Sequence, residues 1–388
     1  MRWRSIAALM ALTALLPLGG CVNQEPLGSF IFVQAMAVDC KDGLFTLHCS
    51  VFDPAAANGA GGDYADRINN VLSGEGQSVS EAIANMNLHS PRVIDLSRNR
   101  ALFLSDAVLR RHLGDVMDFF SRYHQLRLLT AVYGYRGDVS ETVRSGMHNA
   151  VNPAESMRDL SKYGAKRGFL QQTDCLEIIS SLYDDYSGFV LPVVKRWNRD
   201  MAQEQDGNQN DSLVLDGLAL YGDRQFKAYL NEETARGLAW LTGHDPPQFM
   251  TVLELPNGSR WSVRATEKSG RIKTDIRDGL PRFTIELSTK ATLIEAASPD
   301  MVAITPEALR LGGERYAETV GRQIETALDQ TLRKHGADPI YLYRQVAKWQ
   351  NGYWRTLPKP WRQLVQNAEI KIEVKAAITR VGQSDTVI

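Results

Sequence analysis

The chain has 388 residues, 44% of them hydrophobic, and carries 44 Lys and Arg against 45 Asp and Glu, a formal charge of −1. That length exceeds what one hydrophobic core organises, so two or three domains are expected. A balanced charge offers none of the clustered basic surface that phosphate backbones require, which argues against nucleic acid as a partner.

Arg2 and Arg4 form a short basic head, and Ile6 to Leu18 is almost wholly apolar, the layout of a secretory signal. The run is shorter than the roughly 20 apolar residues of a membrane-crossing helix. It stops at Gly19-Gly20, and Leu18-Gly19-Gly20-Cys21 resembles the bacterial lipobox, in which the cysteine thiol is diacylated and the chain is cut before it. The three regions stand in the order and spacing of a lipoprotein precursor, which weighs against an ordinary signal peptide with a chance cysteine. Cys21 is therefore the expected lipid-attachment residue and 1–20 the cleaved peptide, leaving 42 basic against 45 acidic side chains, a charge of −3. At about 0.8 kcal/mol per buried CH2, one acyl chain binds a membrane marginally and two or more hold firmly. The mature protein is expected to sit tethered outside the cytoplasm.

Ser29 to Asp39 and Leu44 to Val51 read as strands around a Lys41-Asp42-Gly43 turn. Cys40 and Cys49 flank that turn, but a hairpin centred near Asp42 puts Cys40 opposite a residue near 44 and Cys49 opposite the mid-thirties, which works against a disulfide. Asp53 to Gly76, rich in Gly, Ala and Asn, reads as a surface loop. Ser78 then caps a helix through about Asn87, and a short strand follows at Ala101 to Leu104. Ser105 or Asp106 starts a better helix, with Leu109, Leu113, Val116, Met117 and Phe120 on one stripe. Leu126 to Tyr133 reads as a buried strand. Helical patterns follow near 138–147, 153–162 and 173–184, the last holding Cys175 as a small buried hydrophobe. Gly188 to Val194 reads as a strand, and the polar run Gln203 to Ser212 as a linker or exposed loop.

In the second half, Asn257-Gly258 between apolar segments signals a two-residue hairpin turn. Phe283, Ile285, Leu287, Thr289, Ala291 and Leu293 alternate with polar residues, as do Ile370, Ile372, Val374, Ala376 and Ile378. Strands wet on one face belong to antiparallel sheets. Between them lies a helix marked by Thr305-Pro306 at its start and Lys334-His335-Gly336 at its end, with Leu309, Tyr316, Val320, Ile324, Ala327 and Leu328 facing the sheet. The fold class is α+β, with helices packed on mixed and antiparallel sheets.

Motifs of chemistry are missing. The seven histidines are scattered, with no His-Glu-x-x-His or Cys-x-x-Cys to suggest a metal. No Gly-x-Ser-x-Gly elbow occurs, and Gly74-Glu75-Gly76-Gln77 lacks the third glycine and preceding strand of a dinucleotide fingerprint, so it reads as loop. Asp184-Asp185 and Glu232-Glu233 read as solvated faces, and His244-Asp245-Pro246-Pro247 as a rigid bend. Trp349, Tyr353 and Trp354 at helical spacing read as core or interface rather than a stacking surface for sugars or bases. No catalytic, cofactor-binding or metal-ligating residue emerges.

The stretch "LDGLALYGDRQFKAYLNEETARGL", Leu215 to Leu238, resembles the G-x-A-x-[FY]…YLx-x-x-TRGL region of the Ger(x)C family, the lipoprotein C subunits of bacterial spore germinant receptors. "DPIYLYRQVAKWQNGYWRTLPKPWRQLVQNAEIKIEVKAAITRVG" is similar to that family's C-terminal module, and "SVSEAIANMNLHSPRVIDLSRNRALFLSD" and "YHQLRLLTAVYGYRGDVSETV" to its N-terminal half. The chain departs from the family pattern at Val22-Asn23, at Arg98-Asn99-Arg100 and at Leu364. The resemblance implies a three-domain architecture, with boundaries placed here near 185 and 245: 22–185 an N-terminal α/β domain, 186–245 a small middle domain and 246–388 a C-terminal α+β domain. It further implies a non-enzymatic subunit on the outer face of the spore inner membrane, beside two integral membrane subunits, one transporter-like and one larger. Two other classes compete. A surface-anchored solute-binding lipoprotein of a transport system would show near-continuous buried parallel strands, and an exported hydrolase would assemble its site from scattered residues.

Overall fold

The computed structural model describes Trp3 and residues 27–54, 70–144, 173–197, 212–243, 245–297 and 304–380. Their strands form two sheets, one of nine strands and one of four. β1 (Phe30–Lys41) and β2 (Leu44–Phe52) pair antiparallel, with Cys40 opposite Phe45 and Cys49 opposite Met36. The register argument therefore holds, and Cys40, Cys49 and Cys175 are free and buried. Burial pushes the Cys49 thiol up to about 12, well away from thiolate chemistry.

β3 (Asn70–Gly76) extends the hairpin beside β2. This corrects the reading of 53–76, and of its Gly74-Gly76 fragment, as loop; residues 55–69 of that stretch lie outside the described residues. The glycines mark a close approach rather than a turn. A Cβ on Gly74 would lie 2.3 Å from the Ala82 carbonyl oxygen of helix α1 (Val79–Leu88), so only glycine lets the helix sit on this strand. Ser78 caps α1 as expected, its hydroxyl accepting the Glu81 N–H at 3.1 Å.

β4 (Val93–Asp95) and β5 (Ala101–Ser105) run parallel to β1, β6 (Ala131–Tyr135) parallel to β5, and β7 (Gly188–Trp197) parallel to β6. β8 (Ser212–Gly222) and β9 (Gln225–Leu230) then continue the same sheet antiparallel, giving the order β3-β2-β1-β5-β6-β7-β8-β9. The expected boundary near 185 thus falls just before a strand of this sheet. The strands on either side of the polar run at 203–212 are partners, although 198–211 themselves lie outside the described residues. β5 and β6 are buried along their whole length. One face meets α1, α2 (Leu113–Arg122) and α3 (Cys175–Tyr183), with the expected stripe Leu109, Leu113, Val116, Met117 and Phe120 buried. A wide π turn at Val108–His112 opens α2, its first N–H bonded by the Ser105 hydroxyl at 3.3 Å. The strand expected from Leu126 begins only at Ala131. Thr130 closes a turn on the Arg127 carbonyl at 3.1 Å, and that turn uses up the apolar residues before the ladder starts. Of the pattern near 138–147, Glu141–Arg144 is helical while 145–147 lie outside the described residues, as does 153–162.

In the second sheet, β10 (Met250–Glu254), β11 (Arg260–Arg277), β12 (Leu280–Ala297) and β13 (Glu369–Arg380) lie in that order. The hairpin joining β10 to β11 uses three residues, Pro256-Asn257-Gly258, rather than two. Gly258 donates to the Leu255 carbonyl at 3.0 Å and takes φ 79, a type I turn followed by a left-handed residue. The alternation in β12 is borne out, with Phe283, Ile285, Leu287, Ala291 and Leu293 in the core. Thr305 caps α5 (Pro306–Leu328), accepting the Ala308 N–H at 3.1 Å, and Tyr316, Val320, Ile324, Ala327 and Leu328 are buried beneath it. The helix continues through a π turn, Asp329–Arg333, to Gly336 at φ 62. Then α6 (Leu342–Trp349), a turn at Asn351–Trp354 and α7 (Trp361–Gln366) lead into β13. β13 pairs parallel with β12, Ile370 opposite Phe283, so the sheet is mixed rather than antiparallel. The reason is the connection: a chain that crosses over through α5 to α7 returns in the same direction, whereas a hairpin would reverse it. Of the expected core or interface aromatics, Tyr353 and Trp354 pack against the core while Trp349 is 63% exposed.

Candidate functional site

The two sheets meet at a corner built from Ala337 and Asp338. Gly188, the first residue of β7, donates its N–H to the Asp338 carbonyl at 3.1 Å, and a Cβ there would lie 2.7 Å from the Asp338 nitrogen. The Asp338 side chain turns inward. Its carboxylate accepts the N–H groups of Leu342 at 2.9 Å and Tyr343 at 3.0 Å, and the Trp361 indole N–H at 3.1 Å. It thereby ties the start of α6 to α7. Burial raises its pKa to about 6, against the pull of those donors toward the charged form.

Aromatic side chains complete the joint. Tyr343 donates its hydroxyl to Asp184, and Arg344 donates to the Tyr343 oxygen at 2.8 Å. Asp184 also accepts the N–H of Tyr186 at 2.9 Å. The Tyr186 ring lies 5.9 Å from Tyr343 and 4.7 Å edge-on to Trp354, which in turn meets Trp361 at 5.9 Å. Arg362 reaches across to Asp223 at 3.1 Å in the β8–β9 turn. A loop of the first sheet is thus held by helices of the second through charge-assisted bonds and ring contacts.

α4 (Glu232–Leu241) forms the other bridge. Asn231 caps it, accepting the Thr234 N–H at 3.0 Å. Ala235 and Leu238 share a buried cluster with Leu218, Leu220 and Leu230 of the first sheet and with Ala327 of α5. Gly237 lies directly on α5, where a Cβ would stand 2.0 Å from the Gln323 carbonyl oxygen, and the Trp240 indole donates to the Gln323 side chain at 2.9 Å. Lys268 closes the far end, its ammonium donating to the Thr242 carbonyl at 2.8 Å.

A second polar cluster lies at the carboxyl ends of β5 and β6, the position where open α/β sheets take ligands. Tyr229 donates to Asp106 at 2.5 Å, Arg110 also pairs with Asp106 at 2.9 Å, and Lys195 pairs with Asp216 at 2.7 Å. Arg136 lies 4.9 Å over the Tyr229 ring and 3.4 Å from Asp216. Burial pushes the Asp106 carboxyl up, but the Tyr229 and Arg110 bonds outweigh it and hold the group below the usual range. Each of these three cations has one of the two carboxylates as its partner, so the cluster acts as a latch from β9 to the end of β5.

Cys21, the site residue expected from the sequence for lipid attachment, lies outside the described residues. Of the paired carboxylates, Asp184 belongs to the joint, Asp185 pairs with Arg224, and Glu232 pairs with Arg236 at 2.7 Å. His244 lies outside the described residues. Asp338 was missed as a site; the Asp338-Pro339 dipeptide, a turn initiator, was the available signal. Among the described residues, no group of three or more His, Cys, Asp or Glu is placed to hold a metal, and no helix is long and apolar enough to cross a membrane.

Residues 23–196 match the family described as "Spore germination protein N-terminal domain", and residues 216–382 that described as "Spore germination B3/ GerAC like, C-terminal". The chain is 19% identical to spore germination protein B3 of Bacillus subtilis (strain 168), over 95% of this chain and 96% of that protein. It is 22% identical to the YfkR protein of the same organism, over 94% of each. The crystal structure of the GerBC protein superposes with a TM-score of 0.53 at 15% identity, covering 88% of this chain and 96% of that one. Both halves of the chain and their order agree with one family, and the quoted Leu215 to Leu238 stretch is the bridge between its two sheets: the chain belongs to the Ger(x)C family of spore germination proteins.

Proposed function

We propose that this protein is a membrane-anchored, non-catalytic subunit of a spore germinant receptor, held by acyl groups on Cys21 at the outer face of the inner membrane. There it stands beside two integral membrane subunits, one transporter-like and one larger. The carrying observation is the family match along almost the whole chain, combined with the lipobox ending in Cys21. The joint around Asp338 suits a relay, because a displacement of one sheet pulls on the other through hydrogen bonds and packed rings. An acyl anchor confines such a body near its partners and raises their effective concentration. The division at 185 and 245 belongs to the same reading, and limited proteolysis of the folded chain checks it.

Buried parallel strands such as β5 and β6 also occur in solute-binding lobes, so they do not separate that class from this one. Companions do. In the native sporulating organism, the wild-type protein should enter the membrane fraction with an acylated N-terminal Cys21 and co-purify with two integral membrane proteins. Cys21→Ala should leave it soluble and fail to restore germination to a strain lacking the gene. Intact, uncut protein in the cytosol would sink the anchoring, and co-purification with a permease and an ATPase would sink the receptor role.

A further inference from the structure

The strand-start end of the nine-stranded sheet gathers exposed apolar side chains from four separate segments. Leu88 at the end of α1 is 81% exposed, Val93 in β4 51%, Leu129 before β6 71%, and Leu176 in α3 43%. The ladder brings them to one end: Phe30 pairs with Val93, Ala35 with Ala101, and Ala101 with Ala131. The Leu176 N–H bonds the Leu128 carbonyl at 2.9 Å, and the Asn87 side chain accepts the Ile94 N–H at 3.2 Å, holding α3 and α1 at the same rim.

Arginines are interleaved with them. Arg98, Arg100 and Arg127 are exposed and form no ion pair among the described residues, and Arg98 rests over the Phe32 ring at 6.0 Å. Arg92 is paired with Asp53. The other acids at this end are engaged locally: Asp95 accepts the Ser97 N–H, Asp174 caps α3, and Glu177 in its first turn is shifted up by burial. Four arginines face four carboxylates, so the rim is electrically near neutral and its apolar side chains dominate. Leucines with long-stemmed arginines among them suit the boundary between headgroups and acyl chains, where the stems lie in apolar surroundings and the guanidinium heads stay hydrated.

The tether decides what covers this rim. Cys21 precedes Phe30 by nine residues, a span of at most about 30 Å when fully extended. The start of β4 lies beside Phe30, and those of β5 and β6 lie level with Ala35, about 17 Å along β1 and one or two strand spacings of roughly 4.8 Å across, so all three are within that reach. We propose that the strand-start rim, with Leu88, Val93, Leu128, Leu129 and Leu176 foremost, seats on the bilayer surface. The inference rests on acylation at Cys21, and its test separates the two.

Full-length protein is purified with its acyl groups, as shown by the mass of the N-terminal peptide, and placed in phosphatidylcholine–phosphatidylglycerol vesicles. An environment-sensitive dye is attached at Leu129→Cys or, on the outer face of the second sheet, at Ser288→Cys; Cys40, Cys49 and Cys175 are buried and do not compete for it. The dye at 129 should shift blue and be quenched by nitroxide-headgroup lipid, while the dye at 288 should behave as in water. A second variant, Leu128→Glu with Leu129→Glu, read from a dye at Leu88→Cys, should lose most of the blue shift while keeping the circular dichroism of the wild type. If acylated, vesicle-bound protein shows equal water exposure at 129 and 288, the seating is wrong and the anchor stands. If protection at 129 arises only when other membrane proteins are present, the rim is a protein contact and the bilayer assignment falls. If the protein purified from its native membranes carries no acyl groups at Cys21, as read from the mass of its N-terminal peptide, and does not float with vesicles, the anchor and the seating fall together.

Discussion

Gly237→Ala should lower the unfolding free energy by about 2 kcal/mol, although alanine for glycine inside an exposed helix ordinarily gains roughly 1 kcal/mol. The reversal follows from the α4–α5 crossing. The added methyl would stand 2.0 Å from the Gln323 carbonyl oxygen and 2.7 Å from the Ala327 Cβ, and a backbone oxygen cannot swing aside as a side chain can. The two helices must part, which loosens the Trp240 bond to Gln323 and opens the cluster of Leu218, Leu230, Leu238 and Ala327. Gly114→Ala is the matched control, because that glycine lies in α2 with open space around its Cβ position. Urea unfolding of both variants settles the matter, and equal stability for the two would mean that α4 does not lie against α5 in this way.

Asp338→Ala should cost about 3 kcal/mol at pH 7, since it strands the N–H groups of Leu342 and Tyr343 and the Trp361 indole in the interior, and an unpaired buried donor costs roughly 1–3 kcal/mol. Asparagine keeps one acceptor oxygen and should fall between alanine and wild type. The pH dependence carries a further signature. The folded carboxyl holds its proton up to about pH 6, while the unfolded one releases it near its ordinary value of 3.8. Across that window the native state binds more protons than the unfolded state, so this group's contribution to stability falls as pH rises and levels off above it. The drop is at most about 3 kcal/mol, two pKa units at 1.36 kcal/mol each. Surface carboxylates titrate in the opposite sense, so the measurement is the difference between wild type and Asp338→Asn in urea unfolding from pH 4 to 7. A difference that does not change with pH would show that Asp338 is not the buried acid of this joint.

How far the sequence speaks for the fold depends on how local the cause is. The alternation in β12, the Ser78 and Thr305 caps and the β1–β2 register were legible because side-chain period and capping act within a few residues. The glycines of β3 misled, because their reason lies in α1 across space rather than in their own backbone. The parallel pairing of β13 was hidden for a similar reason: alternation records which face is wet, and the direction of a partner strand is set by the connection. Tyr229 and Gly237 stood in the recognised motif, yet their contacts to Asp106 and Gln323 cross 123 and 86 positions, and only the folded chain reveals them.

The place of β13 has a further effect on how the molecule is made. Its partner β12 is synthesised long before it, with Arg282 waiting for Glu369 87 positions later. Until the last strand arrives, β12 offers an unpaired edge and α5 lacks the floor provided by Ile372, Val374 and Ile378. Closure of the second body is therefore a late, non-local event, slow by the logic of loop entropy. A nascent chain of this design keeps the β12 edge open until translation is nearly complete, so whatever receives the chain must shield that edge until then.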